Sequence, residues 1–281
     1  MTDLPAFSLL LPVYHGDSAA QLRRSFHSSV HDQTLRPNEV VLVEDGPVGP
    51  ELTAQIESLT QTSPVPVILV RLRENAGLAA ALTTGLAACT HDVVARMDAD
   101  DISLPERFAI QIPLIAAGHD LVGSGMCEFS EDDDGVEIPG AERNPPTTSA
   151  DIARYARFHD PFNHPTVVYT KSAVAAAGGY APLGLMEDYW LFARMIANGA
   201  RARNARERLV KYRVSSGAYK RRGGLKLLAS EVQLQRAFRR SGFTSTGQFV
   251  RNIAVRGGYR LIPEPVRRHF YRTLILRSRA L

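Results

Sequence analysis

The sequence predicts an α/β fold in which a mostly parallel sheet is flanked by helices, and two observations support this prediction. Short apolar segments rich in β-branched residues alternate with helix-forming segments through the first 130 residues, as βαβ units require. Several of these apolar segments end in acidic or polar residues. Because ligands bind beyond the carboxyl ends of strands in open sheets, the second pattern predicts a binding site along one edge of the sheet.

The first half of the chain contains five predicted strands and four predicted helices. The strands cover residues 7–14, 39–46, 65–72, 92–98 and 120–129. The helices cover residues 18–33, 51–60, 76–88 and 105–117. Apolar runs of this length, bounded by Gly, Pro or Asp, favour buried strands, whereas the longer Ala/Leu-rich segments favour helices.

The pattern is less regular after residue 130. Residues 131–146 are acidic and rich in Gly and Pro, which predicts a solvated loop. Two further strands are predicted at residues 165–170 and 208–214. A helix begins near Leu185 and ends near Asn198. Further helices are predicted at residues 225–238, 248–255 and 266–276.

Three carboxylates follow the fourth predicted strand within four residues, at Asp98, Asp100 and Asp101. Like charges this close repel one another, and a divalent cation bound through carboxylate oxygens would offset that repulsion. Alternatively, Asp101 or Ser103 caps the helix that begins near residue 105. The motif alone fits both interpretations.

Composition and charge restrict the class of protein. The 281 residues include two cysteines, Cys89 and Cys127, which form neither a metal-binding pattern nor a disulfide framework. The N-terminus lacks the features of a signal peptide, and no apolar stretch is long enough to cross a bilayer. Residues 201–281 contain 21 Lys or Arg and three acids, whereas residues 1–200 contain 12 Lys or Arg and 26 acids. A basic C-terminal region on an acidic body suggests an anionic partner.

Five motifs occur in order along the chain: LLLPVY at residues 9–14, VLVEDG at 41–46, ENAGL at 74–78, MDADD at 97–101 with LPER at 104–107, and EDYW at 187–190. The series resembles the inverting GT-A glycosyltransferases of family 2, especially bacterial enzymes that build exopolysaccharide or cell-envelope glycans. The resemblance covers roughly residues 6–215. It implies a GT-A fold with a Rossmann-like central sheet.

The resemblance also implies a domain organisation. A catalytic domain would span residues 1–215, with a nucleotide-sugar half at about 1–130 and an acceptor half at about 131–215. A basic helical extension would follow at residues 216–281.

The resemblance assigns the nucleotide-sugar donor, most commonly a UDP-sugar, to the edge of the sheet. The implied donor-binding residues are Pro12, Tyr14, Glu44, Asp45, Asn75 and Asp98. Pro12 and Tyr14 would hold the base, with Tyr14 able to stack on it, and Asp98 would hold the ribose. Asp100 would coordinate Mn²⁺ or Mg²⁺, which neutralises charge on the diphosphate leaving group.

The implied acceptor side centres on Asp188, the expected general base. Glu187 and Trp190 would shape the acceptor pocket, although a core aromatic is an equally good interpretation of Trp190. Many relatives carry a His after the Tyr-Arg pair that stands here at Tyr212 and Arg213. If that His assists the metal or the diphosphate in relatives, its absence makes Arg213 and Lys220 candidates for contact with the diphosphate. His164 is another polar candidate, with a structural role expected for it.

The expected function is therefore metal-assisted transfer of a sugar to a glycan or polyprenyl-diphosphate-linked acceptor. A degenerate domain acting as a membrane-peripheral assembly partner is one alternative, and a sugar-phosphate nucleotidyltransferase is another. The basic C-terminal region favours contact with an anionic membrane surface at the cytoplasmic face. Packing of this region on the catalytic domain explains it equally well. No nucleic-acid-binding motif accompanies the charge.

Overall fold

The computed structural model describes residues 4–132, 134–214 and 225–258. Lys220 and the predicted amphipathic helix at residues 266–276 lie outside these ranges. The N-terminal half is a parallel sheet, as predicted, with the order β3-β2-β1-β4. Its strands are β1 (Phe7–Tyr14), β2 (Glu39–Asp45), β3 (Val67–Arg71) and β4 (Val93–Arg96). The helices between them are α1 (Ala19–Val30), α2 (Pro50–Thr62) and α3 (Leu78–Ala88).

The second half extends the same sheet with strands of mixed direction. These strands are β5 (Ile102–Ser103), β6 (Leu121–Glu131), β7 (Glu137–Arg143), β8 (Val168–Thr170) and β9 (Ala202–Arg213). Their helices are α4 (Arg107–Ala116), α5 (Ser149–Tyr155), α6 (Lys171–Ala176) and α7 (Glu187–Ala197). Strand β8 is antiparallel to both β4 and β6, and β9 runs parallel to β6. The predicted parallel arrangement therefore ends at β4.

The prediction of a loop throughout residues 131–146 is wrong, because residues 137–143 form β7. This strand pairs antiparallel with β6. Its sequence, EIPGAER, carries no alternation of apolar residues, and most of its side chains are exposed or half-buried. Backbone pairing rather than burial forms this strand, so hydrophobic patterning does not reveal it.

Apolar side chains on both faces of the sheet form the core. Leu9 and Leu42 face one layer, where they pack with Phe26 and Phe108. Their neighbours Leu10 and Val41 face the opposite layer. Strands buried on both faces require unbroken apolar sequence, which explains why β1 and β2 were identifiable.

Two C-terminal helices, α8 (Leu225–Arg240) and α9 (Thr246–Asn252), lead into a π-helical turn (Ile253–Gly257), and α8 packs against α7. Leu234 and Phe238 of α8 are fully buried, and the Phe238 ring lies 5.1 Å from that of Tyr189 on α7. Packing on the catalytic domain, one of the two interpretations of this region, therefore describes residues 225–258. None of the helices in the described residues has the length and apolar character needed to span a bilayer.

Candidate active site

Two adjoining cavities open at the carboxyl ends of the central strands. The first, here called the strand-end cavity, has a volume of about 420 Å³ and lies above β1, β2 and β4. The second, the α7 cavity, has a volume of about 600 Å³ and includes the first turn of α7. Leu78, Asp98 and Tyr212 line both cavities. A ligand that passes Asp98 therefore reaches from one cavity into the other.

The strand-end cavity brings together most of the residues that the sequence assigned to the donor. Its walls include Pro12, Tyr14, Asp45, Asn75, Asp98 and Asp100. The side chain of Tyr14 is half exposed and available for stacking. Aromatic rings in this position provide a flat apolar surface with a polar end.

Asp45 organises the loop that follows β3. One carboxylate oxygen accepts the N–H of Ala76 at 2.8 Å and the other that of Gly77 at 3.1 Å. The Asn75 amide donates to the Asp45 carbonyl at 3.2 Å. Gly46 lets the two segments approach, since its φ is +80° and a Cβ there would lie 2.4 Å from the Asn75 nitrogen.

Glu44 does not line the strand-end cavity, where the donor-binding role predicted for it would place it. Because side chains alternate along β2, Glu44 faces away from Asp45. Its Oε2 accepts a hydrogen bond from Nε of Arg71 on β3 at 3.0 Å. Glu44 therefore joins two strands.

The strand-end cavity contains more negative charge than the MDADD motif alone supplies. Asp17, which the sequence analysis missed, also lines it and accepts the N–H of Tyr14 at 2.9 Å. Burial, together with the charges of Asp100 and Asp98, raises the pKa of Asp17 to about 7. Burial and the charge of Asp98 raise the pKa of Asp100 to about 6. A bound cation would lower the electrostatic cost of ionising both groups.

Asp98 and Asp101 are held by arginines. Both Nη groups of Arg96, which is almost fully buried, donate to the two carboxylate oxygens of Asp98. Asp101 is fully buried and accepts the N–H of Arg213 at 2.8 Å. The capping interpretation is wrong, because Ser103 lies in β5 and α4 begins at Arg107.

The residues of the strand-end cavity fit a cation that shares its coordination with a ligand. In the ranges that the structure describes, no three His, Cys, Asp or Glu side chains form a ready metal cluster. Asp100 nevertheless lines the cavity together with three further carboxylates, those of Asp17, Asp45 and Asp98. This arrangement suits Mg²⁺ or Mn²⁺, which are often held by one or two carboxylates together with substrate phosphates.

Asp188 lies in the first turn of α7 and lines the α7 cavity. One carboxylate oxygen accepts the N–H of Tyr189 at 2.7 Å. The other lies 3.3 Å from Nδ1 of His164. Burial raises the pKa of Asp188, and the positive charge of Arg96 opposes that rise. A carboxylate with a raised pKa is a better proton acceptor than an exposed one.

His164 stands behind Asp188 in a chain of buried groups. Its Nε2 lies 3.4 Å from the hydroxyl of Tyr180, which lies 3.3 Å from that of Tyr169. Burial and the nearby charge of Arg96 hold the pKa of His164 well below its usual range. A neutral imidazole has one donor and one acceptor nitrogen. Nδ1 of His164 faces the Asp188 carboxylate, and Nε2 faces the Tyr180 hydroxyl.

Several residues of the α7 cavity were not found by sequence reasoning. They are Arg143 and Asn144 at the end of β7, together with Asp160 and Asn163. The missed β7 strand concealed the first two. In the sequence, the adjacent polar residues Asn163 and His164 before β8 could have indicated this side of the cavity.

Glu187 and Trp190, the two residues predicted to shape the acceptor pocket, do not line the α7 cavity. Glu187 lines a smaller neighbouring cavity of about 390 Å³ between α3 and Tyr180. Its Oε2 is buried and has no hydrogen-bond partner among the described residues. Trp190 faces the C-terminal helices, with its ring 5.9 Å from that of Phe238. The core interpretation of Trp190 therefore fits and the acceptor-pocket interpretation does not.

Arg213 is already engaged by protein groups. Its Nε donates to the carbonyl oxygen of Asp100 at 2.9 Å, and its Nη1 pairs with Glu131 at 2.6 Å. The guanidinium also lies over the ring of Phe129, 4.6 Å from its centroid. Arg213 therefore holds the Asp100–Asp101 turn, which differs from the diphosphate contact expected of it.

Comparisons with known proteins agree with this geometry. The sequence profile of the family "Glycosyl transferase family 2" matches residues 8–175. The amylovoran biosynthesis glycosyltransferase AmsE of Erwinia amylovora is 37% identical, with 94% of this chain and 97% of that protein covered. The Escherichia coli UDP-Gal:alpha-D-GlcNAc-diphosphoundecaprenol beta-1,3-galactosyltransferase is 35% identical, with 98% of each chain covered.

Solved structures show the same fold at lower identity. The mannosyltransferase PcManGT from Pyrobaculum calidifontis, in complex with GDP-Man and Mn²⁺, superposes with a TM-score of 0.66 at 18% identity, covering 95% of this chain and 72% of that one. TarS of S. aureus superposes with a TM-score of 0.58 at 18% identity, covering 93% and 50%. The chain belongs to glycosyltransferase family 2 and is a glycosyltransferase with the GT-A fold.

Proposed function

We propose that this enzyme transfers a sugar, with inversion, from a nucleoside diphosphate sugar to a hydroxyl of a lipid-diphosphate-linked glycan. One observation carries the proposal: two cavities meet at Asp98, one with features for a nucleotide and the other with a half-buried carboxylate, Asp188. The proposal assigns the donor to the strand-end cavity and the acceptor to the α7 cavity. A UDP-sugar is the favoured donor because the similar E. coli enzyme is named for UDP-Gal.

The donor would be held by residues of the strand-end cavity. Tyr14 would stack on the base beside Pro12, and Asp45 would keep the loop at residues 75–77 against it. Asp98, oriented by Arg96, would accept hydrogen bonds from the ribose. Asp100 would hold Mn²⁺ or Mg²⁺, which supplies positive charge to the diphosphate as it leaves.

Asp188 would act as the general base. Its carboxylate takes the proton of the acceptor hydroxyl while the hydroxyl oxygen attacks the anomeric carbon. The bond between the anomeric carbon and the diphosphate oxygen breaks on the opposite face, and its electron pair leaves with the nucleoside diphosphate. Such a single displacement inverts the configuration at the anomeric carbon. Arg96 pairs with Asp98 and lines the α7 cavity, where its charge favours the ionised form of Asp188 before the proton is taken.

The experiment that tests this function is direct transfer. Purified protein is incubated with Mn²⁺, a synthetic GlcNAc-α-diphosphate-lipid and a panel of UDP-galactose, UDP-glucose, UDP-GlcNAc and GDP-mannose. We expect one α-linked donor to give a β-linked disaccharide, identified by the proton coupling constant of the new linkage. Absence of transfer from every donor, or a product with retained configuration, would contradict the proposal.

The basic C-terminal region supports a further part of the proposal, contact with an anionic membrane at the cytoplasmic face. Val250 and Val255 are more than half exposed, and Arg251 beside Val250 on α9 and Arg239 and Arg240 at the end of α8 are exposed too. Basic residues beside exposed apolar ones suit an anionic lipid surface. We expect the full chain to sediment with phosphatidylglycerol vesicles at low salt, and neither with phosphatidylcholine vesicles nor at high salt. Equal sedimentation with both lipids would contradict this contact.

A further inference from the structure

The C-terminal helices hold a segment of the catalytic domain by its backbone. Three consecutive carbonyl oxygens, at the end of α5 and just beyond it, each accept a side-chain hydrogen bond. The Tyr189 hydroxyl donates to Ala156 at 2.7 Å, the Asn252 amide to Arg157 at 2.8 Å, and Nη1 of Arg256 to Phe158 at 2.6 Å. Two of these three donors come from the C-terminal segment.

A buried polar network fixes the two C-terminal donors. Nε and Nη2 of Arg256 donate to the two oxygens of Glu231 at 2.6 and 3.0 Å. Nε2 of Gln235 donates to Glu231 at 3.0 Å, and the Asn252 amide donates to Oε1 of Gln235 at 2.9 Å. Glu231, Gln235 and Asn252 are almost completely buried. Buried networks that satisfy their polar groups favour one geometry strongly.

The segment held in this way leads directly into the α7 cavity. Asp160 follows Phe158 by two residues and lines that cavity together with Asn163 and His164. Asp160 and Asp188 influence one another electrostatically: burial raises the pKa of Asp160, the charge of Asp188 adds to this rise, and the cation of Arg256 opposes it. The C-terminal segment therefore influences both the position of residues 156–160 and the charge at Asp160.

We propose that Asn252 and Arg256 are positioning residues of the acceptor site, which hold residues 156–160 so that Asp160 faces the same cavity as Asp188. The inference rests on the proposed function, in which the α7 cavity receives the acceptor. It gives the C-terminal segment a role in catalysis in addition to any contact with a membrane.

Two variants and one control test the positioning. Asn252→Leu preserves the size of the side chain and removes the donor to Arg157. The double variant Glu231→Leu/Arg256→Met replaces the buried ion pair with apolar side chains, a change that proteins often tolerate, and removes the donor to Phe158. Arg236→Gln serves as control because it removes a charge from an exposed position on α8.

Amide hydrogen exchange tests the structural part without any substrate. We expect peptides covering residues 157–164 to exchange faster in both variants than in wild type or the control. Peptides covering residues 75–77 and 96–101, at the strand-end cavity, should exchange as in wild type. Unchanged exchange at residues 157–164 would overturn the proposal.

Kinetics test the role in the acceptor site, with UDP-galactose and GlcNAc-α-diphosphate-lipid as probes. We expect the KM for the acceptor to rise in both variants, by about tenfold in Glu231→Leu/Arg256→Met, which loses a charge-assisted hydrogen bond, while the Kd for UDP stays at the wild-type value. An unchanged acceptor KM, or a parallel loss of UDP affinity, would overturn the proposal. If wild type transfers no sugar from any donor of the panel, the proposed function fails, and hydrogen exchange still decides whether the segment is positioned by Asn252 and Arg256.

Discussion

The two cavities of this glycosyltransferase are built in different ways. The strand-end cavity is formed mostly by residues of the first 100 positions, each at or just beyond the end of a parallel strand. The α7 cavity combines the end of β7, the segment before β8 and the first turn of α7, and the C-terminal helices support it from behind. Local sequence therefore specifies the proposed donor side, whereas distant contacts assemble the proposed acceptor side.

Among the substitutions that distinguish the proposed donor side from the proposed acceptor side, Asp188→Asn is expected to have the largest effect on transfer. The amide keeps the shape of the carboxylate and cannot take the acceptor proton, so transfer should fall by about 10²- to 10⁴-fold. Nucleotide affinity should be unchanged, because Asp188 lines the α7 cavity and not the strand-end cavity. Initial rates of transfer and calorimetric titration with UDP measure the two quantities. Near-normal turnover would mean that another group is the base.

A smaller effect is expected at His164, which lies 3.3 Å from Asp188. Asn and Leu have similar shapes, and only Asn retains a donor near the position of Nδ1. We expect kcat to be about tenfold lower in His164→Leu than in His164→Asn, as hydrogen bonds to charged groups typically contribute. Equal kcat values in the two variants would show that His164 only fills space.

The stability of the protein should depend on pH because the strand-end cavity contains an excess of negative charge. In the folded protein the pKa of Asp17 is about 7, against an ordinary value of 3.8. The folded state therefore binds more protons than the unfolded state between these values, and stability decreases as pH rises through this range. With EDTA present, the melting temperature should fall between pH 5 and pH 8, and less so in Asp17→Asn. Glu57→Gln, at an exposed position of α2, should behave as wild type. A slope equally steep in Asp17→Asn would exclude Asp17 as its source.

The smallest effect is expected from Trp190→Phe. Trp190 packs against Phe238 and Arg194, so the change should slightly lower the melting temperature and leave the acceptor KM at its wild-type value. A raised acceptor KM would show that Trp190 contributes to the acceptor site.

The comparison also explains which features could be predicted from the sequence. Strands β1, β2 and β4 are buried on both faces, and the polar residues that follow them fall at one edge by topology alone. Glu44 was misplaced because adjacent residues of a strand face opposite sides. Trp190 was misplaced because its partner, Phe238, lies 48 positions further along the chain. Strand β7 exists through pairing with β6, and a sequence without alternation gives no sign of such a partner.

The central claim is that donor and acceptor occupy separate cavities that meet at Asp98. Calorimetric titration of UDP in the presence of Mn²⁺, applied to Asp100→Asn and Asp188→Asn in parallel, tests it most directly. The account predicts that Asp100→Asn loses the metal-dependent part of UDP affinity and that Asp188→Asn binds UDP as wild type does. Loss of UDP affinity in both variants, or in Asp188→Asn alone, would contradict it.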